Sequence, residues 1–570
     1  MQLDEDAKTL GQELSCHPLV AQLLFRRGIR DLSSARSFLA PRMSELPDPA
    51  LLKGMGAAVQ RLVTAIEQRE PICAYGDYDV DGVTATTLLV RFLRQCGASV
   101  DPYIPHRIAE GYGLNLEAVA KIAERGFRLL VTLDCGITAV AEVDHAISHG
   151  LDVIVVDHHT VPTDLPRAVA ILNPWQPGCQ YPTQHLCAVG VAFLLCVALR
   201  RALRERGHFG RERMEPNLKS ELDLVALGTI ADVVPLTGVN RLFVREGLRE
   251  LEKTERIGLQ ALKRVAGLAE GPVGAGQVGF RLGPRINAAG RLHDATRAVE
   301  LLLCSRGEEK RAEALALELD AANADRQTIE RQILDEALLR GEAQLAAGAR
   351  GLVLAAEGWH AGVVGIVAAR VAERLHRPTV VIGVDPRTGI GKGSGRSIEG
   401  FHLYDAIASC AANLVRFGGH KQAAGVTIAR ENIETFREQF DRAARVQLGE
   451  GALFRRCRID AALAPEELTF ALHDALSALA PFGPGNPEPV LAVMGASARA
   501  HVVGKGGHLK LSLQEAPHAD AIGFGLGALA SALPPRVDLA FTLGVEHFRG
   551  DKRISLKLRH VRAVAAGDVV

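Results

Sequence analysis

The sequence predicts a multidomain α/β protein: a parallel-sheet domain, a second α/β domain joined to it by a long helix, and a small C-terminal β-barrel. Three observations carry this prediction. Apolar strand-like runs alternate with helical runs between about residues 50 and 240. The stretch from 308 to 340 holds neither Gly nor Pro. Beyond about residue 455 the pattern changes to short apolar strands separated by turns.

Residues 1–48 read as a short helical segment closed by Pro41, Pro47 and Pro49. The first α/β domain is expected over 49–305. Its strands at 71–76, 129–133 and 153–156 are each followed by helical pattern or by the next strand, with helices at about 83–95 and 139–149. A connecting helix is expected over 306–345, because Leu315, Leu319, Ala322, Ile329, Ile333 and Ala337 recur at mostly helical spacing. A second α/β domain follows over 346–450, with strands at 352–355 and 379–383 and a helix at about 363–375. Gly-rich punctuation fills 389–395 and Gly418-Gly419. Strands at 490–493, 509–513, 519–523, 539–543 and 554–558 place a small barrel of the OB type in 451–570.

Lys plus Arg and Asp plus Glu both number 66, so the net charge is zero and any DNA contact must come from local basic surfaces. The chain is 48% hydrophobic and 23% charged, as expected of a soluble globular protein. Its ten cysteines form no C-x-x-C pair and read as reduced thiols. The acidic, polar start is unlike a signal peptide, and no run suits a membrane span. A cytoplasmic protein without membrane association is therefore expected.

Three acid-rich runs begin where apolar strands end: Asp77-Tyr78-Asp79-Val80-Asp81-Gly82, Asp134-Cys135-Gly136 and Asp157-His158-His159. Strands that end at one edge of a parallel sheet bring such runs together. Carboxylates and imidazoles gathered there suit two divalent cations, and a metal pair suits in-line attack on a phosphodiester. The first run is not an EF-hand loop: the twelfth position is Leu88, where a bidentate Glu is required, and a strand precedes the run. Asp81 falls near a helix start, where it would interact with the dipole. Asp232 lies in an apolar run and needs a partner if buried; a structural cap is the competing reading. The run Gly391-Lys392-Gly393-Ser394-Gly395-Arg396 fails as a P-loop, because Pro386 and Gly393 stand where Gly and Ser or Thr are needed. It remains open as a phosphate nest or a plain hairpin turn. In the barrel, Lys505, His508, Lys510, Lys552, Arg553, Lys557, Arg559 and Arg562 supply positive charge. Phe524, Phe541 and Phe548 are stacking candidates, most of them better read as core.

These motifs resemble the DHH phosphoesterase superfamily, and within it the branch of single-strand-specific DNA exonucleases. The likeness continues through Leu24-Phe25-Arg26-Arg27-Gly28-Ile29, His106-Arg107, Glu110-Gly111-Tyr112-Gly113 and Gly283-Pro284-Arg285-Ile286-Asn287-Ala288-Ala289-Gly290-Arg291. It extends to Gly358-Trp359-His360, Gly393-Ser394-Gly395-Arg396-Ser397, Phe417-Gly418-Gly419-His420 and Pro481-Phe482-Gly483-Pro484-Gly485-Asn486-Pro487, so that nearly the whole chain is covered. The resemblance implies a DHH domain, a DHHA1-like second domain and an OB-like barrel. It implies two divalent cations, Mn²⁺ or Mg²⁺. Asp77 and Asp134 would hold one, and Asp79, Asp134, His158 and Asp232 the other, with Asp134 bridging. His159 would face the scissile phosphate, and Asp134 and Asp81 complete the catalytic set. Relatives with histidine at the position of Gly76 or Tyr75 imply that one metal here is short of a protein ligand. Substrate contacts are implied for Arg107, Arg285, Asn287, Arg291, His360, Ser394, Arg396, Gly418, Gly419 and His420. Ser394, Arg396 and Arg107 would take the 5′-phosphate; Arg285, Asn287 and Arg291 would touch phosphates or fix the domain junction.

The implied activity is 5′→3′ degradation of single-stranded DNA to 5′-mononucleotides in recombination and repair, with a helicase and a single-strand-binding protein as candidate partners. A phosphodiesterase or pyrophosphatase acting on short oligonucleotides, cyclic dinucleotides or pyrophosphate is the rival within the same chemistry. A scaffold that binds DNA without cutting it is the rival outside it.

Overall fold

The computed structural model describes every residue except 1–3, 107–109, 112, 293, 450, 452, 549–550 and 565–570. Its first sheet has five parallel strands: β1 (Ile72–Gly76), β2 (Val100–Tyr103), β3 (Leu129–Leu133), β4 (Asp152–Val156) and β5 (Ala170–Leu172), in the order β2-β1-β3-β4-β5. The chain leaves β1 toward one edge and returns to build toward the other, so the switch point lies between β1 and β3. Alternate residues of β1 serve two apolar clusters: Ile72 and Ala74 pack on one face, Cys73 and Tyr75 on the other. That two-sided burial explains why the strands read as unbroken apolar runs.

The second sheet comprises β6 (Leu352–Glu357), β7 (Thr379–Val384), β8 (Ile390–Arg396), β9 (Leu414–Gly419) and β10 (Ala423–Ala429), ordered β6-β7-β8-β10-β9. Only β6 and β7 run parallel. The Gly-rich runs read as punctuation, nest or hairpin turn are therefore strands. Gly391, Gly393 and Gly395 share one face of β8, where a Cβ would come within 3.4 Å of Ile382, Val426, Ile428, Val380 or Leu403. Those neighbours fill the space that side chains would need.

The connecting helix, Glu309–Ala346, is 38 residues long and spans about 57 Å. Ala312, Leu315, Ala316 and Leu319 join the core of the first domain, whereas Ile333, Ala337 and Leu338 join a core of the second. Between them its inward face turns polar with Asn323, Arg326 and Glu330.

The C-terminal barrel comprises β11 (Ala461–Ala462), β12 (Leu491–Val503), β13 (His508–Leu513), β14 (Ala519–Gly523), β15 (Arg536–Phe548) and β16 (Asp551–Ala563). Three of its strands run well past the apolar runs that predicted them. The first half of β12 pairs with β15 and the second half with β13, and the register shift between Val493 and Ala496 turns the strand from one to the other. Phe541 fills this barrel, Phe524 is exposed, and the Phe548 side chain lies outside the described residues.

The N-terminal helices are not a separate preamble. Leu19, Leu23 and Leu24, from the helix Pro18–Arg26, share one apolar cluster with Leu472, Leu479, Leu491 and Phe541 of the C-terminal region. Arg241 clasps this unit to the first domain. Its buried guanidinium donates to the carbonyls of Phe38 (2.7 Å), Leu479 (3.0 Å) and Ala480 (2.8 Å), and lies 3.7 Å from the centroid of the Phe38 ring. Burial pushes Arg241 down to about 9, and Arg245 adds repulsion.

Arg241→Ala leaves buried carbonyls without donors and opens a void, at a cost of about 3 kcal/mol or more. A lower first thermal transition and faster proteolytic separation of the barrel are expected; unchanged melting and digestion would contradict this account.

Candidate metal centre

The register of the parallel ladder assembles the site. Gly76 lies opposite Leu133, Leu133 opposite Val156, and Val156 opposite Leu172. The next residue on each strand continues the ladder by one bond. Asp77 N–H donates to Leu133 O (3.1 Å), Asp134 N–H to Val156 O (2.9 Å) and Asp157 N–H to Leu172 O (3.0 Å). Three acids are thereby fixed side by side at the carboxyl edge, across the switch point.

Asp77 and Asp134 are buried, and Asp79 is half-buried. One oxygen of Asp79 accepts from the amides of Asp81 (2.9 Å) and Gly82 (3.1 Å), capping the helix Val80–Gln95. That cap starts the helix three residues before its apolar pattern. Asp81 does not cap its own helix. Its two oxygens accept from Ala188 N–H (2.6 Å) and Val189 N–H (2.8 Å), at the start of the helix Ala188–Glu205. Asp81, expected in the catalytic set, is thus a buried acceptor at the start of another helix, and its Oδ2 also lies 3.7 Å from His158 Nε2, within the acidic cluster.

His158 Nε2 lies 3.0 Å from Asp134 Oδ1, and its Nδ1 lies 3.7 Å from Asp232 Oδ2. Asp232 sits at the C-terminal cap of the helix Leu222–Ala231. Its Oδ2 is buried without a hydrogen-bond partner, as expected of an oxygen kept for a cation. His159 Nδ1 lies 2.7 Å from Asp157 Oδ1, which also accepts from the His158 and His159 amides, while Asp157 Oδ2 accepts from Ile137 N–H (3.0 Å). Asp157, absent from the predicted ligands, is therefore the anchor of both histidines. Its signal was visible as the acid that opens the Asp-His-His run.

Among the described residues, donor atoms fall into three groups, each lying within 4.8 Å: Asp77 with Asp79 and Asp134, Asp134 with His158 and His159, and Asp81 with His158 and Asp232. Asp79 joins Asp77 rather than the His158–Asp232 side to which the resemblance assigned it. Hard oxygens with one or two imidazoles fit Mn²⁺ or Mg²⁺.

The electrostatics of the metal-free protein point the same way. Burial, then repulsion from Asp79, Asp81 and Asp77, holds Asp134 well above the carboxylate range. Burial pushes Asp232 up to about 9, with Asp81 and Asp79 adding to it, and pushes Asp81 up to about 7. Burial pushes His158 down to about 4, which leaves the neutral imidazole that ligation needs. Burial also opposes charge on His159, but the hydrogen bond and charge of Asp157 outweigh it and the net shift is upward. Asp134 has φ 67°, a left-handed conformation that Asp tolerates at some cost, and Val233, beside Asp232, has φ 62°.

Position 76 admits no side chain. A Cβ on Gly76 would lie 2.0 Å from Thr86 Oγ1, so packing excludes histidine there. Tyr75 turns its hydroxyl to Gly113 O (2.8 Å) and stacks on Tyr103.

The remaining predicted contacts divide. Asn287 Oδ1 accepts from Val80 N–H (3.2 Å), beside the acidic loop. Gly290 permits the same approach, since a Cβ there would lie 2.5 Å from Tyr78 O. Arg291 donates to Gly362 O (2.9 Å), and Gly362 N–H donates to His360 Nδ1 (3.1 Å), so both residues lie at the domain junction. Of the two roles expected for Arg285, its contacts are those of a brace: it pairs with Asp320 (2.8 Å) of the connecting helix and donates to Arg281 O. Ser394 and Arg396 bond to each other (2.8 Å) on β8, beneath the start of the helix Val364–Leu375. Gly418 and Gly419 end β9, and His420 begins the turn to β10 at the sheet edge. Arg107 lies outside the described residues.

Family models match in chain order: the DHH family N-terminal domain over 71–229, the DHHA1 domain over 348–445 and the RecJ OB domain over 459–560. The chain is 39% identical to the single-stranded-DNA-specific exonuclease RecJ of Bacillus subtilis, over 98% of this chain and 69% of that one. It is 38% identical to the Escherichia coli RecJ, over 95% and 96%. The crystal structure of Thermus thermophilus RecJ in complex with Mn²⁺ superposes with a TM-score of 0.84 at 33% identity, covering 99% of this chain and 79% of that one. The same protein with Mg²⁺ gives 0.78 at 31%, covering 99% and 78%.

A carboxylate raised above its unfolded value opposes folding once pH passes that unfolded value. The metal-free protein is therefore expected to lose stability as pH rises from about 4 toward 9, the level of Asp232. Mn²⁺ should restore that stability, and Asp134→Asn should raise the melting temperature in EDTA at pH 8 while removing the response to Mn²⁺. Melting curves across pH, with and without the ion, check this. Asp157→Asn should lower Mn²⁺ affinity by about 10–100-fold, read by calorimetry.

Proposed function

The chain belongs to the RecJ family of single-stranded-DNA-specific exonucleases, and from that premise we propose how its own residues carry out the reaction. It is a metal-dependent nuclease of single-stranded DNA, and we assign it 5′→3′ polarity with release of 5′-mononucleotides. The observation that carries the reading is the convergence of Asp77, Asp79, Asp134, His158 and Asp232 at one sheet edge.

Asp77, Asp79, Asp134, His158 and Asp232 would hold two divalent cations, Mn²⁺ or Mg²⁺, with Asp134 shared. When bound, such a pair lowers the pKa of a water and neutralises charge on a phosphate. Asp157 holds His159 by its Nδ1 and favours the imidazolium, which suits His159 to offset developing charge or to give a proton to the departing 3′ oxygen. Asp81 keeps the helix start Ala188–Val189 beneath this cluster.

We assign the 5′-phosphate to Ser394 and Arg396. Burial alone lowers Arg396, and the helix Val364–Leu375 starts above both side chains, an arrangement that favours an anion. Asn287 and Arg291 line the cleft between the two domains and are proposed, with His360, to meet the strand there, while Gly418, Gly419 and His420 are proposed to meet it at the edge of the second sheet. The barrel is proposed to guide DNA toward them, although Lys510, Arg553, Arg559 and Arg562 are each paired with a carboxylate. A polymer suits this extended surface better than a dinucleotide or pyrophosphate. A helicase and a single-strand-binding protein as partners, work in recombination and repair, and a cytoplasmic setting belong to the same proposal; among the described residues no helix is long and apolar enough to cross a membrane.

The test uses 5′-phosphorylated oligonucleotides labelled at either end, single- and double-stranded, with each cation. Stepwise nucleotide release from the 5′ end of single strands is expected, at rates far above those on pdTdT, cyclic dinucleotide or pyrophosphate. Asp134→Ala should reduce release to the metal-free level. Preferred hydrolysis of the short substrates, or full activity in the variant, would overturn the assignment.

A further inference from the structure

We propose that Phe280 is a base-stacking residue, which holds one base of the single strand at the mouth of the interdomain cleft. The proposal rests on the exonuclease reading above and adds a contact to it. Single exposed apolar side chains are ordinary on protein surfaces; the place of this one is not. Phe280 is 86% exposed, and none of the apolar clusters of the described residues includes it. It lies on a π-helical turn, Val278–Leu282, a geometry that recurs at functional sites.

Phe280 lines a cleft of about 490 Å³ between the first domain, the connecting helix and the helix Val364–Leu375. Arg291, Arg326, Arg331 and Arg370 line it too, against the single carboxylate of Glu330. Glu330 is buried and already engaged with Arg326 and Arg370, the latter at 2.7 Å. The net positive lining suits a phosphate backbone, and an aromatic face beside it suits a base; single-strand sites combine these two elements.

The backbone turn that carries Phe280 is packed against an element of the metal centre. A methyl on Gly279 would lie 3.8 Å from Ile230, and one on Gly283 would lie 3.6 Å from Ala231, so the turn packs on the helix that ends at Asp232. The following helix, Gly283–Leu292, carries Asn287 to the Val80 amide. A base stacked on Phe280 would therefore rest on an element that is tied through its backbone to the metal centre. Stacking made equally before and during cleavage acts on KM and leaves kcat unchanged.

The test compares wild type, Phe280→Ala, Phe280→Leu and Phe280→Trp as full chains with Mn²⁺, on a 5′-phosphorylated 20-mer and on pdTdT. Phe280→Ala should raise KM for the 20-mer about 5- to 150-fold, the range that corresponds to one stacked base, with kcat unchanged and pdTdT turnover unaffected. Phe280→Trp should retain wild-type KM, and Phe280→Leu should resemble Phe280→Ala. In an Asp134→Asn background that prevents cleavage, 2-aminopurine placed at successive positions should be quenched at one position, and the quenching should vanish with Phe280→Ala. An unchanged KM in Phe280→Ala, wild-type behaviour of Phe280→Leu, or quenching that survives the alanine would overturn the proposal. Loss of activity on every substrate by the wild type would instead sink the exonuclease reading.

Discussion

One constraint governs the rest of the molecule: a parallel ladder whose last bond on each of its three inner strands is made by an acidic residue. Because Asp77, Asp134 and Asp157 each donate a backbone amide to the neighbouring strand, their side chains cannot spread apart without undoing the sheet. The core beneath, built from residues such as Val131, Ile154 and Leu172, enforces like-charge crowding at its rim. The surroundings answer that crowding in different ways. Asp157 is satisfied by amides and His159, Asp81 by a helix start, whereas Asp134 and Asp232 stay short of compensation. Divalent cations resolve the deficit, and the left-handed backbone of Asp134 is the strain accepted to point its carboxylate into the cluster.

The acidic edge was legible in the sequence because period and chemistry coincide there. Fully buried parallel strands write themselves as continuous apolar runs, and the residues that follow must be at the carboxyl edge. What the sequence hid were relations across the fold. Asp81 looked like the cap of its own helix, yet its oxygens reach a helix more than a hundred residues away. Arg285 belongs to a motif beside the metals, yet it faces Asp320. Gly391, Gly393 and Gly395 resembled a turn, because the side chains that require glycine there come from β7, β10 and Leu403. Strands β2 and β5 are short and at sheet edges, and their composition does not announce them.

The connecting helix converts two separate sheets into one working surface. Its apolar face changes allegiance along its length, and the interval between the two cores is where buried polar side chains appear. That interval faces the cleft. Arg326, Glu330 and Arg370 tie the helix to the second domain, while Arg285 and Asp320 tie it to the first. The width of the cleft is thus set by a helix whose ends are embedded in opposite cores, and a change in that width requires the helix to bend or one core to loosen.

The shared core of the N-terminal helices and the barrel bears on the order in which the molecule is made. On the ribosome Leu19, Leu23 and Leu24 emerge hundreds of residues ahead of Leu491 and Phe541, the side chains that cover them. Two α/β units can collapse in that interval, but the earliest segment must wait with its apolar face bare until the latest one arrives. Vectorial synthesis therefore delays closure of this core until residues from both of its halves have been made.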